Sequence, residues 1–234
     1  RGDSQVLGHA CLASPVTALV NPYSTLGFGA LWMPRAGLVV SSTFFSAADS
    51  STSSGLEDLD EGWVWTGAVR SQYEWRGAPG GMTLTAQYGF DNDFVDFDGS
   101  FVGADGLQVP LTGDTWNLSW TGWQYLMVEP GSSETIDPTN GKTDRQGLGL
   151  FARAAVADAS TNPVRSSVSA GLAMRGMLPG RDSDTAGLGI SYADIRDEPL
   201  LTGSLLDSSA RRAELYYSFA FSPSAQLTLD YQWV

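Results

Sequence analysis

The chain has 234 residues, 42% of them hydrophobic, which excludes a disordered polymer and suits one all-β domain or part of a larger one. A formal net charge of −13 disfavours nucleic acid and anionic surfaces as partners, because phosphate binding needs a basic footprint. The lone Cys (Cys11) and lone His (His9) exclude a disulfide framework, a His/Cys metal cluster and a His-based catalytic relay, so no hydrolase is expected and both residues are read as structural.

No apolar run reaches the roughly eighteen residues that a membrane-crossing helix needs. Arg1-Gly2-Asp3 matches an adhesion tripeptide and is read as chance. No leader is visible at Arg1, and the alternation is cut off at Trp233-Val234, so segments are expected beyond both ends. Asn21-Pro22 breaks the chain before a strand predicted at about Tyr23 to Met33, with Leu26, Phe28, Ala30 and Trp32 on the apolar parity. Pro34-Arg35 is read as the turn into a strand from Gly37 to Phe45, and Ala47 to Glu61 as a Ser-rich acidic loop. From Gly62 to Phe90 the alternation is clearest. Trp63, Trp65, Gly67, Val69, Tyr73 and Trp75 oppose Thr66, Arg70, Gln72, Glu74 and Arg76. After a turn placed at Gly77 to Gly81, Met82, Leu84, Ala86, Tyr88 and Phe90 oppose Thr83, Thr85, Gln87 and Asp91, which makes a long hairpin.

Asp91 to Asp114 is an Asp/Gly-rich connection that lacks the glycine and terminal Glu positions of a calcium loop; it is read as an acidic surface loop with no metal assigned. Thr115 to Val128 is a strand with Trp116, Leu118, Trp120, Leu126 and Val128 on one parity, although Trp123 and Tyr125 fall on the other. A second long loop, Glu129 to Thr143, follows. Leu148, Leu150, Ala152, Ala154 and Val156 then oppose Phe151 and Arg153, and after a short connection at Ala159 to Pro163, Val164, Val168, Ala170, Leu172 and Met174 oppose Arg165, Ser167, Ser169 and Arg175. Pro179-Gly180-Arg181 turns into Ala186, Leu188, Ile190 and Tyr192, opposite Gly187, Gly189 and Ser191; residues 195–210 form a long loop. The last hairpin sets Ala213, Leu215, Tyr217, Phe219 and Phe221 against Arg212, Glu214 and Ser218, then Leu227, Leu229 and Tyr231 against Gln226, Thr228 and Asp230.

This pattern predicts about ten antiparallel strands, no helix, and a single domain over 1–234 with long loops at 47–61, 91–114, 129–143 and 195–210. Two-faced strands fit a soluble sandwich, whose aromatic faces share a core, or a transmembrane β-barrel, whose aromatic face meets lipid and whose charged face lines water. Short connections gather at one end and long ones at the other, apart from Glu129 to Thr143 and Ala159 to Pro163, which favours the barrel. Trp63, Trp65 and Trp75 are then read as interfacial girdle residues rather than a sugar-stacking site.

Three stretches carry a family resemblance: GMLPGRDSDTAGLGISY (Gly176 to Tyr192), NPYSTLGFGALWMP (Asn21 to Pro34) and AELYYSFAFSPSAQLTLDYQWV (Ala213 to Val234). The chain resembles the outer-membrane carbohydrate-selective porins of the OprB family. The resemblance implies a barrel of about sixteen strands, of which this chain supplies some ten. It also implies location in the outer membrane of a Gram-negative-type bacterium, with passive diffusion of carbohydrates and other small neutral solutes as the function.

The candidate pore-lining residues are Arg70, Gln72, Glu74, Arg76, Gln87, Arg153, Arg165, Arg175, Arg212, Glu214 and Asp230. Interleaved Arg and Glu offer many donors and acceptors with little net field, which suits hydroxyl-rich neutral solutes better than ions. Any one of these side chains could instead merely keep the wall wet. The longest loop, Asp91 to Asp114, is the candidate for folding in to narrow the pore. No catalytic residue, metal or cofactor is expected; the expected partners are permeating sugars and outer-membrane lipid, and association of three barrels as a homotrimer stays open. Two other functions remain: a non-conducting structural or adhesive barrel, and a soluble carbohydrate-binding sandwich.

Overall fold

The structure, a computed structural model, describes residues 15–17, 24–48, 56, 60–103, 106–130, 146–196, 209–222 and 224–234. The chain runs through β1 (Gly27–Arg35), β2 (Leu38–Ser46), β3 (Trp63–Trp75) and β4 (Ala78–Phe90), then four short strands, β5 (Phe94–Val95), β6 (Phe101–Gly103), β7 (Gly106–Gln108) and β8 (Leu111–Thr112). Six long strands follow: β9 (Thr115–Val128), β10 (Gly147–Ala157), β11 (Val164–Arg175), β12 (Thr185–Ile195), β13 (Ser209–Ser222) and β14 (Ala225–Trp233). The ten long strands make one antiparallel sheet in unbroken chain order, a meander with β1 and β14 at its edges; it is not closed. The short strands pair only among themselves, β5 with β8 and β6 with β7, so the 91–114 connection carries its own ribbons where the sequence suggests plain loop. One continuous sheet is not a two-sheet sandwich, and the all-β expectation of about ten strands holds. The predicted loops at 47–61, 129–143 and 195–210 lie largely outside the described residues, as do Arg1 to Asp3, His9 and Cys11.

Period-two alternation gives the sheet an apolar and a polar face. On the apolar face Leu150, Leu172, Leu188, Leu215 and Tyr231 pair laterally across β10 to β14, and Val69, Leu84 and Trp120 do so across β3, β4 and β9. These side chains are exposed, Leu188 by 48% and Leu215 by 57%. An apolar surface spanning ten strands far exceeds the few hundred Å² that a soluble monomer tolerates. Aromatic rings flank it: Phe28 stacks on Phe44 at 5.7 Å and meets Trp63 edge-on at 6.1 Å at one end, and Tyr217 and Phe219 pack at 4.3 Å at the other. Trp63 and Trp75 are the first and last residues of β3, as girdle residues would be.

Two turns differ from expectation. The β3–β4 turn is the two-residue Arg76-Gly77, both at positive φ (54° and 78°), which matches the twist of a hairpin. Ala78 to Gly81, turn-like in composition, are ladder residues of β4. Pro34 likewise lies within β1, at the irregularity between Trp32 and Arg35 where the β1–β2 ladder is interrupted and a missing donor is tolerated.

The short 158–163 connection is a hub. Asp158 accepts from the backbone N–H groups of Thr161 and Asn162 through its carbonyl, and from the N–H and Oγ of Ser160 through Oδ1. Four distant segments bond to it: the Phe97 N–H donates to the Ser160 carbonyl (2.7 Å), Thr115 Oγ1 meets Thr161 Oγ1 (2.5 Å), Asn162 Nδ2 donates to the Val16 carbonyl (2.9 Å), and Arg196 donates to the Ala159 carbonyl. The Arg196 guanidinium also pairs with Asp98 and stands 5.9 Å from the Phe97 ring, so the 91–114 connection is fastened across the ends of β10 to β12.

Candidate functional site

Register decides which polar-face residues meet. Following the ladders sideways from β3 to β13, one lateral row reads Arg70, Thr83, Thr121, Arg153, Ser169, Ser191, Arg212. Three arginines of the predicted set therefore share one level of the wall, with hydroxyl side chains between them. The next row reads Gln72, Gly81, Trp123, Phe151, Gly171, Gly189, Glu214, Gln232. It brings Gln72 and Glu214 one level away, on strands β3 and β13. Long side chains that alternate along a strand share its face, so Arg212 and Glu214 are near neighbours.

The remaining candidates lie elsewhere. Gln87 is buried in an amide chain near the long-loop end, donating through Nε2 to Thr66 Oγ1 and accepting from Asn117 Nδ2, both at 3.0 Å. Glu74 and Asp230 are exposed on the polar face toward the turn end. Arg165 sits at the irregularity between Val164 and Ser166, and Arg175 is the last residue of β11. Arg76 is not in the wall: it occupies the β3–β4 turn, and its guanidinium lies over the ring of Trp75, 4.8 Å from the centroid, on the apolar parity.

Aromatic residues on the polar parity, which alternation alone leaves unexplained, cover glycines of the neighbouring strand. A Cβ on Gly81 would lie 2.8 Å from Trp123 Nε1, one on Gly171 2.6 Å from Phe151 Cε1, and one on Gly187 2.5 Å from Tyr216 Cε1. Each ring fills the hollow that a missing side chain leaves in a pleated wall. Phe151 is 1% exposed and packs with Tyr216 and Trp123, which makes a small hydrophobic patch beside the arginine row. The signal was present as glycine on the wet parity of β4, β11 and β12, but only register shows which ring covers which glycine.

Beside this patch a cleft of about 70 Å³ is lined by the polar Arg153, Ser167, Ser169, Ser191, Arg211 and Arg212 and by the apolar Pro15, Val168, Tyr192, Ala193, Ala210 and Val234. Its guanidinium groups and hydroxyls offer donors and acceptors to a solute rich in hydroxyls. At the turn end Asp184 is buried: its Oδ2 accepts from Arg181 Nε (2.7 Å) and the Tyr217 hydroxyl (2.5 Å), and its Oδ1 from the Ala220 N–H (2.9 Å). Burial pushes this carboxyl up, but the hydrogen bonds from Tyr217, Ala220 and Arg181 outweigh it and hold the group below the usual carboxylate range. Among the described residues no group of three or more His, Cys, Asp or Glu could hold a metal ion.

Residues 13–234 match the model of the carbohydrate-selective porin, OprB family. Among solved structures, the chain is similar to the high-pH structure of Pseudomonas putida OprB, with a TM-score of 0.68 and 18% identity over 88% of this chain. The similarity spans 53% of that protein, so this chain corresponds to about half of its length. No curated protein sequence matches. With a ten-stranded meander, an exposed apolar face and a family match over nearly all its length, this chain belongs to the carbohydrate-selective porin, OprB family.

Proposed function

We propose that the polar face lines a water-filled pore in a bacterial outer membrane, through which carbohydrates and other small neutral solutes diffuse passively. The observation that carries this is the lateral row of Arg70, Arg153 and Arg212 with Thr and Ser between them. Guanidinium groups spaced by hydroxyls replace a sugar's hydration with many weak, exchangeable hydrogen bonds. A solute can then enter the site and also leave it. The buried carboxylate of Glu214 beside Arg212 moderates the positive field, which favours neutral solutes over anions. The wall residues in this role are Arg70, Gln72, Glu74, Gln87, Arg153, Arg165, Arg175, Arg212, Glu214 and Asp230.

The 91–114 connection supports a narrowed pore. Phe94 lies over Gly89 of the polar face, where an added Cβ would come within 2.6 Å of its ring, and Asp98 is tied to Arg196. A folded, fastened loop on the wet side occupies space that a solute would otherwise cross.

The test uses the full-length protein in planar bilayers. Arg70 is exposed, so Arg70→Ala should leave folding within about 0.5 kcal/mol. A lost hydrogen bond should weaken sugar block of the ion current by about 0.5–1.5 kcal/mol, roughly two- to tenfold. Liposomes should let neutral sugars equilibrate down their gradient. Uphill accumulation, or a need for ATP or a proton gradient, would sink the passive reading; an absence of any conductance would favour a structural barrel.

A further inference from the structure

The segment Pro15–Thr17 is one turn of 3-10 helix, yet Val16 is 0% exposed. Val16 packs against Ala155 and Ala157 of β10, with Val164 alongside. Those two alanines continue the parity of Phe151 and Arg153, so the segment lies on the polar face. An otherwise wet wall thus offers small apolar side chains at the place where Val16 rests. Asn162, 2% exposed, fixes the segment from the hub: its Nδ2 donates to the Val16 carbonyl at 2.9 Å while its Oδ1 accepts from the Val164 N–H at 3.0 Å. One residue earlier, Pro15 lines the same cleft as Arg153, Ser167, Ser169, Ser191 and Arg212.

We infer that Pro15–Thr17 is a strap inside the pore, fastened by Val16 and Asn162, that closes one side of the arginine–serine cleft and so sets how tightly a hydroxyl-rich solute is held there. The inference rests on the porin reading above and extends it to residues that make no strand. Three features argue that the docking is built rather than incidental. The buried valine has an apolar seat, its carbonyl has a dedicated buried donor, and the adjoining Pro15, with its fixed φ, lines the cleft.

Two variants separate the strap from the wall. Asn162→Asp keeps the acceptor for the Val164 N–H and replaces the donor to Val16 by a carboxylate oxygen that repels the Val16 carbonyl, and Val16→Asp puts a carboxylate into the alanine seat, which drives the segment out while leaving every strand unchanged. In the full-length protein in planar bilayers, both should raise single-channel conductance and weaken sugar block, and Val16→Asp should do so with an unaltered urea midpoint. Docking is read independently by Val16→Cys with all other cysteines replaced by serine. The introduced thiol should resist a charged, water-soluble thiol reagent that modifies Thr85→Cys on the open wall, and Asn162→Asp should abolish that protection. Unprotected Val16→Cys in the otherwise unaltered wall, or unchanged conductance and sugar block in both variants, would overturn the strap. A parent protein that conducts nothing overturns the pore reading and the strap's part in permeation with it, whereas thiol protection would still report docking.

Discussion

Leu84 and Thr85 are chain neighbours on opposite faces near the centre of β4, and arginine at each tests the proposed orientation. β4 has 13 residues, Ala78–Phe90, with Leu84 at its middle. At about 3.4 Å per residue and a tilt of about 40–45°, such a strand rises about 30 Å along the membrane normal, which places Leu84 near the midplane. It is 46% exposed, between Val69 and Trp120 on the apolar face. If lipid covers that face, Leu84→Arg should cost about 2–4 kcal/mol, a 30- to 1,000-fold fall in the folding constant. Thr85 faces the other way, between Ala68 and Ser119, and Thr85→Arg should change stability by no more than about 0.5 kcal/mol. Urea titration of the full-length protein refolded into lipid vesicles measures both. Equal costs would refute the two-faced wall, and a larger cost for Thr85→Arg would invert the orientation.

Gly187→Ala should destabilise by about 1–3 kcal/mol in the same titration, since the new methyl would stand 2.5 Å from Tyr216 Cε1 and 3.1 Å from the Leu172 carbonyl. In a Tyr216→Ala background most of that penalty should vanish, and a penalty that persists would mean the ring is not what fills the hollow. Asp184→Asn should be less stable than the parent at neutral pH. A carboxyl held below its ordinary value stabilises the fold above that value and loses the contribution as pH falls through its depressed one, so the gap between the two proteins should close below about pH 4. A gap that is constant down to strong acid would show that Asp184 acts only through shape.

Strand identity was legible because each long strand carries polar residues on one side and apolar residues on the other. The alternation in β3, β4, β13 and β14 was read residue by residue, and Leu227, Leu229 and Tyr231 share the apolar face with their partners Phe219, Tyr217 and Leu215 as expected. Turn chemistry misled where the strand itself is rich in Gly and Pro: Ala78 to Gly81 belong to β4, and the reversal falls to an arginine at positive φ. Trp123, Phe151 and Tyr216 escaped because a ring on the wet parity makes sense only beside a particular glycine across the ladder. The same limit hid the arginine row. Its members lie on β3, β10 and β13, and their common level is the sum of every register between, including the irregularity near Leu148 that shifts β10 against β9. The Pro15–Thr17 contact has no periodicity to announce it, and its hydrogen bond joins residues 146 positions apart.

The brevity of the 158–163 connection, at the end of the sheet where 91–114 runs long, follows from what hangs on it. Val16, Phe97, Thr115 and Arg196 each bond a different residue of this hub, and Asp158 holds its backbone in one shape. Adding one residue would move several of these partners by about 3 Å, well beyond hydrogen-bond tolerance. For anyone placing an epitope or affinity tag in this protein, 158–163 is a stretch to leave at its native length, although its position between two strands makes it look like the easiest loop to cut.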